Sequence, residues 1–277
     1  MLNKFILNQV LPVLVAVIIF VGLSFLLYFQ VYILNLFPGQ KILFDINLAD
    51  VVVGLTIYLK TAIDFALLIG ILMDKFPGIK NRFAIEVGTA LGNALGTVTV
   101  LVIWYFFKEI TWLLALMVLF ASLVLFKLAQ SSLEHTEIKD KRLLPIVGFL
   151  NTILSPINRV TKPVISKIIP DFSFNSDKVK SIWALFIASM SSPFILGMDD
   201  FAGYVPLFSI VNVVGFCIGV FLGHMILNIF LFLNPKKTIE MIKNPLISVI
   251  GSIVFAGLAI WGFYEVFHIL YETYFHG

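Results

Sequence analysis

Apolar runs of about twenty residues recur from one end of this chain to the other, and nothing else in it limits the possible folds so strongly. A helix needs roughly 20 apolar residues to cross a hydrocarbon core about 30 Å thick, and inside that core the chain must satisfy its own backbone polar groups. The runs fall at about 8–36, 50–73, 83–107, 111–129, 180–200, 206–233 and 246–268. The short breaks carry turn or cap signals: Pro38-Gly39, Pro77-Gly78, Lys108-Glu109, Gly203 with Pro206, and Asn234-Pro235. With 60% hydrophobic and 13% charged residues and a mean hydropathy of +1.03, the chain lies outside the range of soluble domains. The expected fold class is an all-α polytopic membrane protein with seven transmembrane helices. A cleaved signal peptide is not expected, because the first run continues from about Phe5 to Phe37 without a small-residue cleavage site. The single Cys217 cannot form an intrachain disulfide.

Lysine and arginine sort by side. One set of span ends holds Lys4, then Lys75, Lys80 and Arg82, then a basic central segment, then Lys236, Lys237 and Lys243. The other set holds only Lys41 and Lys108. The expected location is the cytoplasmic (inner) membrane, and by the positive-inside rule the N-terminus is expected to be cytoplasmic and the C-terminus outside. Trp104, Trp112 and Trp261 then lie towards outer span ends. The segment 131–179 is the one long hydrophilic stretch, opening with the charged run E-H-T-E-I-K-D-K-R from Glu134 to Arg142. Its later part mixes apolar residues with Arg159, Lys162 and Lys167 and is interrupted by Pro156 and Pro163. We expect one or two short amphipathic pieces there, lying on an anionic inner leaflet.

Glycines suggest an internal duplication. Gly88, Gly92 and Gly96 in span three and Gly215, Gly219 and Gly223 in span six both form GxxxGxxxG, which puts three small residues on one helix face for close packing. Subtracting 88 from 215 gives an offset of 127, and Gly70 and Gly197 differ by the same amount. The alternative is that glycine is simply frequent in membrane helices. Duplicated units of three spans must be inverted relative to each other, an architecture that recurs in secondary transporters. The expected organisation is an extra N-terminal helix (1–48), a first three-helix repeat (49–130), a basic amphipathic linker (131–179) and a second three-helix repeat (180–277).

Charges within spans are costly and by default mark function. Span two carries Y-L-K-T-A-I-D-F, with Lys60 and Asp64 spaced i to i+4 so that they share a helix face. They suit either a self-neutralising salt bridge or a bistable pair that releases Asp64 to an arriving cation. Asp74 and Glu86, near Lys75 and Arg82, are expected at the interface. Span five reads S-M-S-S-P-F-I-L-G-M-D-D-F-A-G-Y-V-P, where Pro193, Gly197 and Gly203 permit an unwound section beside Asp199 and Asp200. A broken helix with two carboxylates can hold a hard cation; a wet outer turn is the alternative. His224 can be a packing residue or, with Cys217, a weak pointer to a soft metal. Asn93 is a neutral oxygen donor in the repeat-related helix.

The run I-Y-L-K-T-A-I-D-F followed by I-E-V-G-T-A-L-G, together with Asp199-Asp200 leading into Tyr204-Val205-Pro206, resembles the CadD-type cadmium-resistance transporters of the LysE-like superfamily. The resemblance covers both halves in order, and it implies export of a divalent cation with Asp64 and Asp199 as the matching acids. Lys60 and Asp200 depart from that family's pattern and change the charge of the implied site. The expected function is a secondary transporter, not an enzyme, that exports a divalent metal cation by proton exchange. The expected metal residues are Asp64, Asp199, Asp200, Asn93 and Thr61, with Lys60, His224 and Tyr204 in gating or charge coupling. The cation is substrate, and no prosthetic cofactor is expected. Partners are the metal cation, protons and anionic lipid, with no nucleic acid, and a homo-oligomer is compatible. An intramembrane aspartyl protease-like enzyme or a permease subunit of a larger complex are the alternatives; the Y-D, G-x-G-D and P-A-L companions of such proteases are absent. No phosphate-binding G-x-x-x-x-G-K-[ST] loop is present either.

Overall fold

The computed structural model describes residues 10–134, 142–168, 181–208, 211–242 and 244–275. The described side chains exclude those of Pro12, Lys60, Ile63, Asp64, Glu134, Lys162, 164–168, Ser192, 195–203, Ile242 and Phe275. Among the described residues the chain is all helical, with no strand. The helices are α1 (Leu11–Leu34), α2 (Leu48–Thr61), α3 (Ile63–Lys75), α4 (Ile79–Phe107) and α5 (Thr111–Glu134). They continue as α6 (Leu144–Ile168), α7 (Ile182–Tyr204), α8 (Val213–Leu233), α9 (Pro235–Ile242) and α10 (Pro245–Phe275). Among the described residues, five stretches are long and apolar enough to cross a membrane: Val13–Leu34, Ile79–Phe107, Thr111–Leu133, Val213–Leu233 and Pro245–Tyr274. Two shorter apolar helical stretches are Leu48–Leu59 and Ile182–Ser191. The expected turns are real where glycine is required: Gly39 and Gly78 have φ of 126° and 106°, which L side chains rarely adopt.

The second apolar run is not one helix. It breaks at Ala62, where ψ is 14° and α2 gives way to α3. No glycine or proline lies at the break. Thr61 instead turns its hydroxyl back onto the carbonyls of Ile57 and Tyr58, at 3.2 Å each, and such back-bonding bends helices. The unwinding expected around Pro193 does not occur; α7 runs unbroken from Ile182 to Tyr204. Pro193 is buried against Gly92, whose missing side chain leaves room for the ring, so α7 keeps its helical path. The linker also differs from expectation. Its described part is one 25-residue helix, α6, that carries Pro156 and Pro163 without ending.

Two compact units contain these helices. The first comprises Met1–Leu101, Phe172–Gly197 and Ile210–Glu240. Its frame is made by glycines. A Cβ on Gly219 would collide with the carbonyl oxygen of Val51, one on Gly54 with that of Phe216, and one on Gly223 would meet Tyr58 Cδ1 at 2.9 Å. The α8 residues that face α2 climb in step with it, from Gly215 by Asp50 to Gly223 by Tyr58, so the two helices run parallel. The same device joins α4 to α7: a Cβ on Gly92 would collide with the carbonyl of Met190, and one on Gly88 would lie 2.7 Å from that of Phe186. These helices are also parallel. Gly96 has only ordinary contact, 3.9 Å from the Pro193 carbonyl. Between α4 and α8 the order reverses, with Arg82 bonded to Phe232 and Thr89 to Asn228, so these two are antiparallel. Asn47 and Asn212 cap α2 and α8 by accepting from the Ala49 and the Val214 and Gly215 amides. α1 stands at the side of this frame, tied by Gln30 Nε2 donating to the Val98 carbonyl at 3.0 Å, with Ile18 and Phe25 largely exposed.

The second unit comprises Val102–Asp171, Met198–Ser209 and Met241–Gly277. α10 lies along α5, again where a glycine permits it: a Cβ on Gly262 would collide with Ser122 Oγ. Phe126 and Phe263 add a ring contact at 5.8 Å. α6 docks on α5 through Leu150, Leu154 and Asn158, spaced i, i+4 and i+8, and Asn158 donates to the Phe126 carbonyl and to Gln130. Its outer face leaves Phe149, Ile153, Arg159 and Val160 exposed. Lys108 lies over the rings of Trp104 and Tyr105, at 4.8 and 4.6 Å, and burial holds its pKa below the usual lysine range while Glu109 opposes the shift.

The glycine contacts predict a sharp positional contrast. Gly219→Val should destabilise the protein by about 3 kcal/mol, the upper end of an overpacking penalty, because the obstacle is backbone. Gly96→Ala should change stability by no more than ~0.5 kcal/mol. Melting of the two purified variants in detergent checks this.

Candidate functional site

Polar residues of the first unit converge on one buried file. On α4, Glu86, Thr89, Asn93 and Thr97 recur at i, i+3, i+7 and i+11, a single helix face, and all four are buried. On α8, His224 and Asn228 are one turn apart and fully buried, and α2 adds the buried Tyr58. Their hydrogen bonds are continuous. Tyr58 Oη meets His224 Nδ1 at 2.6 Å, and Asn228 Nδ2 meets His224 Nε2 at 2.9 Å. The same amide donates to Thr89 Oγ1 at 3.1 Å, and Thr89 donates to the Glu86 carbonyl at 2.9 Å.

The donor count sets the histidine tautomer. With the Asn228 amide assigned as donor to both neighbours, Nε2 of His224 accepts, so Nδ1 carries the hydrogen and donates to Tyr58. The ring is neutral in this arrangement. It is also clamped on two sides, by Tyr58 edge-on and by Phe65 stacked, each with centroids 5.6 Å away. Tyr58 belongs to α2 and Phe65 to α3, so His224 packs across the break at Ala62.

Several polar atoms on these helices and α7 have no partner among the described residues. Both carboxylate oxygens of Glu86, Oδ1 of Asn228, Nδ2 of Asn93 and Oγ of Ser189 are buried without a hydrogen bond. Buried polar groups are nearly always satisfied, so such a concentration is unusual. Arg82, one turn before Glu86, does not reach it: Nη1 donates to the Phe232 carbonyl at 2.8 Å and the guanidinium lies 5.6 Å from the Phe232 ring centroid.

The expected site residues divide into three groups. His224 and Asn93 are buried in the first unit, and His224 is the centre of the file. Thr61 is half-buried, and its hydroxyl donates to the carbonyls of Ile57 and Tyr58 on its own helix. Tyr204 is buried at the end of α7 within the second unit. The side chains of Lys60, Asp64, Asp199 and Asp200 lie outside the described residues, although their backbones sit in α2, α3 and α7. Among the described residues, no three His, Cys, Asp or Glu side chains gather as metal ligands. Asp74 is half-exposed and lies 3.7 Å from Lys236. Glu86 is instead fully buried, on the α4 face that carries Thr89 and Asn93. The signal available in the sequence was the polar recurrence Glu86, Thr89, Asn93 and Thr97 along one face of that helix.

Comparison with protein-family models, with curated proteins and with solved structures returned no match.

The file predicts strong coupling. In Tyr58→Phe the His224 N–H loses its acceptor, which should cost about 1–3 kcal/mol. A double-mutant cycle with His224→Leu, read by reversible unfolding in bicelles, should return a coupling of at least ~1 kcal/mol.

Proposed function

We propose that this chain is a secondary transporter that exports a divalent cation across the cytoplasmic membrane in exchange for protons. The observation that carries the reading is the buried file Tyr58–His224–Asn228–Thr89 with Glu86, unpartnered among the described residues, beside it, all but Tyr58 on helices of spanning length. Polar and ionisable groups at such depth are expensive, and where they persist they usually line an ion or proton path. A structural core would be served better by apolar residues of similar volume.

Seven alternating spans with two inverted repeats form part of the proposal. Helix directions support it: α2 with α8, and α4 with α7, are parallel, whereas α4 and α8 are antiparallel. A chain that crosses seven times in strict alternation, counting α2 and α3 as one broken span, has these directions. The glycine contacts are also reciprocal. The second helix of each proposed repeat packs its glycines on the first helix of the other. Gly92 faces the Met190 carbonyl as Gly219 faces that of Val51, and subtracting 51 from 190 gives 139. Gly88 faces the Phe186 carbonyl as Gly215 faces that of Asn47, and subtracting 47 from 186 again gives 139. In this reading the first helices correspond at 139 and the second helices at 127, so Gly70 and Gly197 are not equivalents.

The break at Ala62 supplies the irregular backbone that membrane ion sites are built on, between Lys60 and Asp64 in sequence. Asp64 is the acid we assign to the cation there, and its charge requires cation or proton to be present when the site is closed to water. α6 is assigned to the inner leaflet, with Phe149, Ile153 and Val160 in the acyl boundary and Arg159 at anionic headgroups.

Everted membrane vesicles that contain the protein test the proposal. A panel of Mn2+, Mg2+, Ca2+, Zn2+ and Cd2+ is offered with an imposed pH gradient. One or more of these ions should accumulate, a protonophore should abolish accumulation, and Asp64→Asn should reduce it to background. Flux that ignores all five ions, or that survives intact in Asp64→Asn, would count against the reading.

A further inference from the structure

Glu86 takes no part in the hydrogen-bonded file through its side chain. Among the described side chains it is the one fully buried acid. Among the described residues, neither carboxylate oxygen has a hydrogen-bond donor and no cation is paired with it. The surroundings explain why. On its own helix the nearest charge is Arg82, which is held by Phe232 and whose Nε has no partner. α8 brings His224, already bonded at both ring nitrogens, and α2 brings Tyr58 and, near its outer end, Asp50. α1 contains no charged residue and the described side chains of α7 carry no charge; those of Asp199 and Asp200 lie outside the described residues. α3 and α9 end in Asp74, Lys75, Lys236, Lys237 and Glu240, of which Lys236 pairs with Asp74. The side chains of Lys60 and Asp64 lie outside the described residues.

An ionised carboxylate in that position would be a bare charge in a medium of low dielectric, which proteins avoid by neutralising the group. A protonated acid has no charge to compensate. We infer that Glu86 is a proton-binding site, neutral in the conformation described here, and that loss of its proton recruits Arg82 away from Phe232. Arg82 and Glu86 are i and i+4 on one face of α4, within reach of each other. Once ionised, Glu86 offers the unpartnered Nε–H of Arg82 a charge-assisted bond that outcompetes a neutral carbonyl. The clamp that Arg82 places on the last turn of α8 then opens. Proton release and movement of α8 against α4 become one event. The inference rests on the transporter reading and names its coupling group: the proton is carried by Glu86, a residue separate from the acid assigned to the metal.

Dicyclohexylcarbodiimide tests this on the full-length protein in liposomes, because it adds to protonated carboxyl groups in apolar surroundings. The carboxyl O–H proton passes to a carbodiimide nitrogen as the oxygen joins the central carbon, and the adduct rearranges to a stable acylurea. Peptide mass spectrometry should find the adduct on Glu86 at acidic and neutral pH and lose it as the pH becomes alkaline. Glu86→Gln, the neutral mimic of the acid, should melt no lower than the parent, lack the adduct and lose proton-driven flux. Arg82→Gln should move the labelling transition to higher pH, since the cation that favours ionised Glu86 is gone. An adduct-free Glu86 at every pH, an unmoved transition in Arg82→Gln, or proton-driven flux preserved in Glu86→Gln would each overturn the inference. The two readings fail separately. A pH-dependent adduct in a protein that carries none of the metals removes the metal assignment and leaves the proton site. Metal flux that ignores Glu86→Gln does the reverse.

Discussion

Backbone-to-backbone contact at glycines is the interaction on which the first unit depends. In lipid, apolar side chains gain little by leaving their neighbours, so helices associate where their backbones can approach and make many dispersion contacts. Gly219 against the Val51 carbonyl and Gly92 against that of Met190 are such places, and a single methyl group at either would push the helices apart. The approach has a chemical consequence. It closes the space around the faces that carry Glu86, Thr89, His224 and Asn228, so those groups must satisfy one another or stay unsatisfied.

That tension is what gives the unit something to do. His224, Thr89 and the Asn228 amide nitrogen are bonded among themselves and with Tyr58, whereas Asn228 Oδ1 and the Glu86 carboxylate, about one turn nearer the start of α4, are not. A fully satisfied network rigidifies a bundle; an unsatisfied group next to it is the natural place for a small ligand. His224 also bridges the break at Ala62 by touching Tyr58 on one side and Phe65 on the other. A change at the histidine is therefore felt by both halves of the broken run, which carry Lys60 and Asp64 in sequence.

Half of the ten described helices were legible from apolar length alone, because α1, α4, α5, α8 and α10 each hold a stretch that a bilayer demands. The packing role of the glycines at 88, 92, 215, 219 and 223 was legible too, since GxxxG has one mechanical meaning in lipid. The break was not. Proline and glycine pointed to span five, but Pro193 found room at Gly92, while a threonine hydroxyl and nothing more marks the true discontinuity. Glu86 was misplaced for a related reason. Its distance from the start of α4 suggested the interface, and only the partner helices determine whether water reaches such a level. α6 was expected as short pieces because two prolines interrupt it; its docking stripe of Leu150, Leu154 and Asn158 on α5 flanks Pro156, and the helix continues past Pro163.

Disulfide trapping between α2 and α8 tests the central claim most directly. A Cβ on Gly215 would lie 3.1 Å from Asp50 Cβ, close to the roughly 3.8 Å that bridged cysteines adopt. In a chain whose Cys217 is replaced by alanine, Asp50→Cys with Gly215→Cys is oxidised in native membranes and then cleaved within the charged segment 134–142. Parallel glycine-mediated packing requires the two fragments to stay joined until reductant is added. Fragments that separate without reductant, with both thiols open to alkylation, would contradict it.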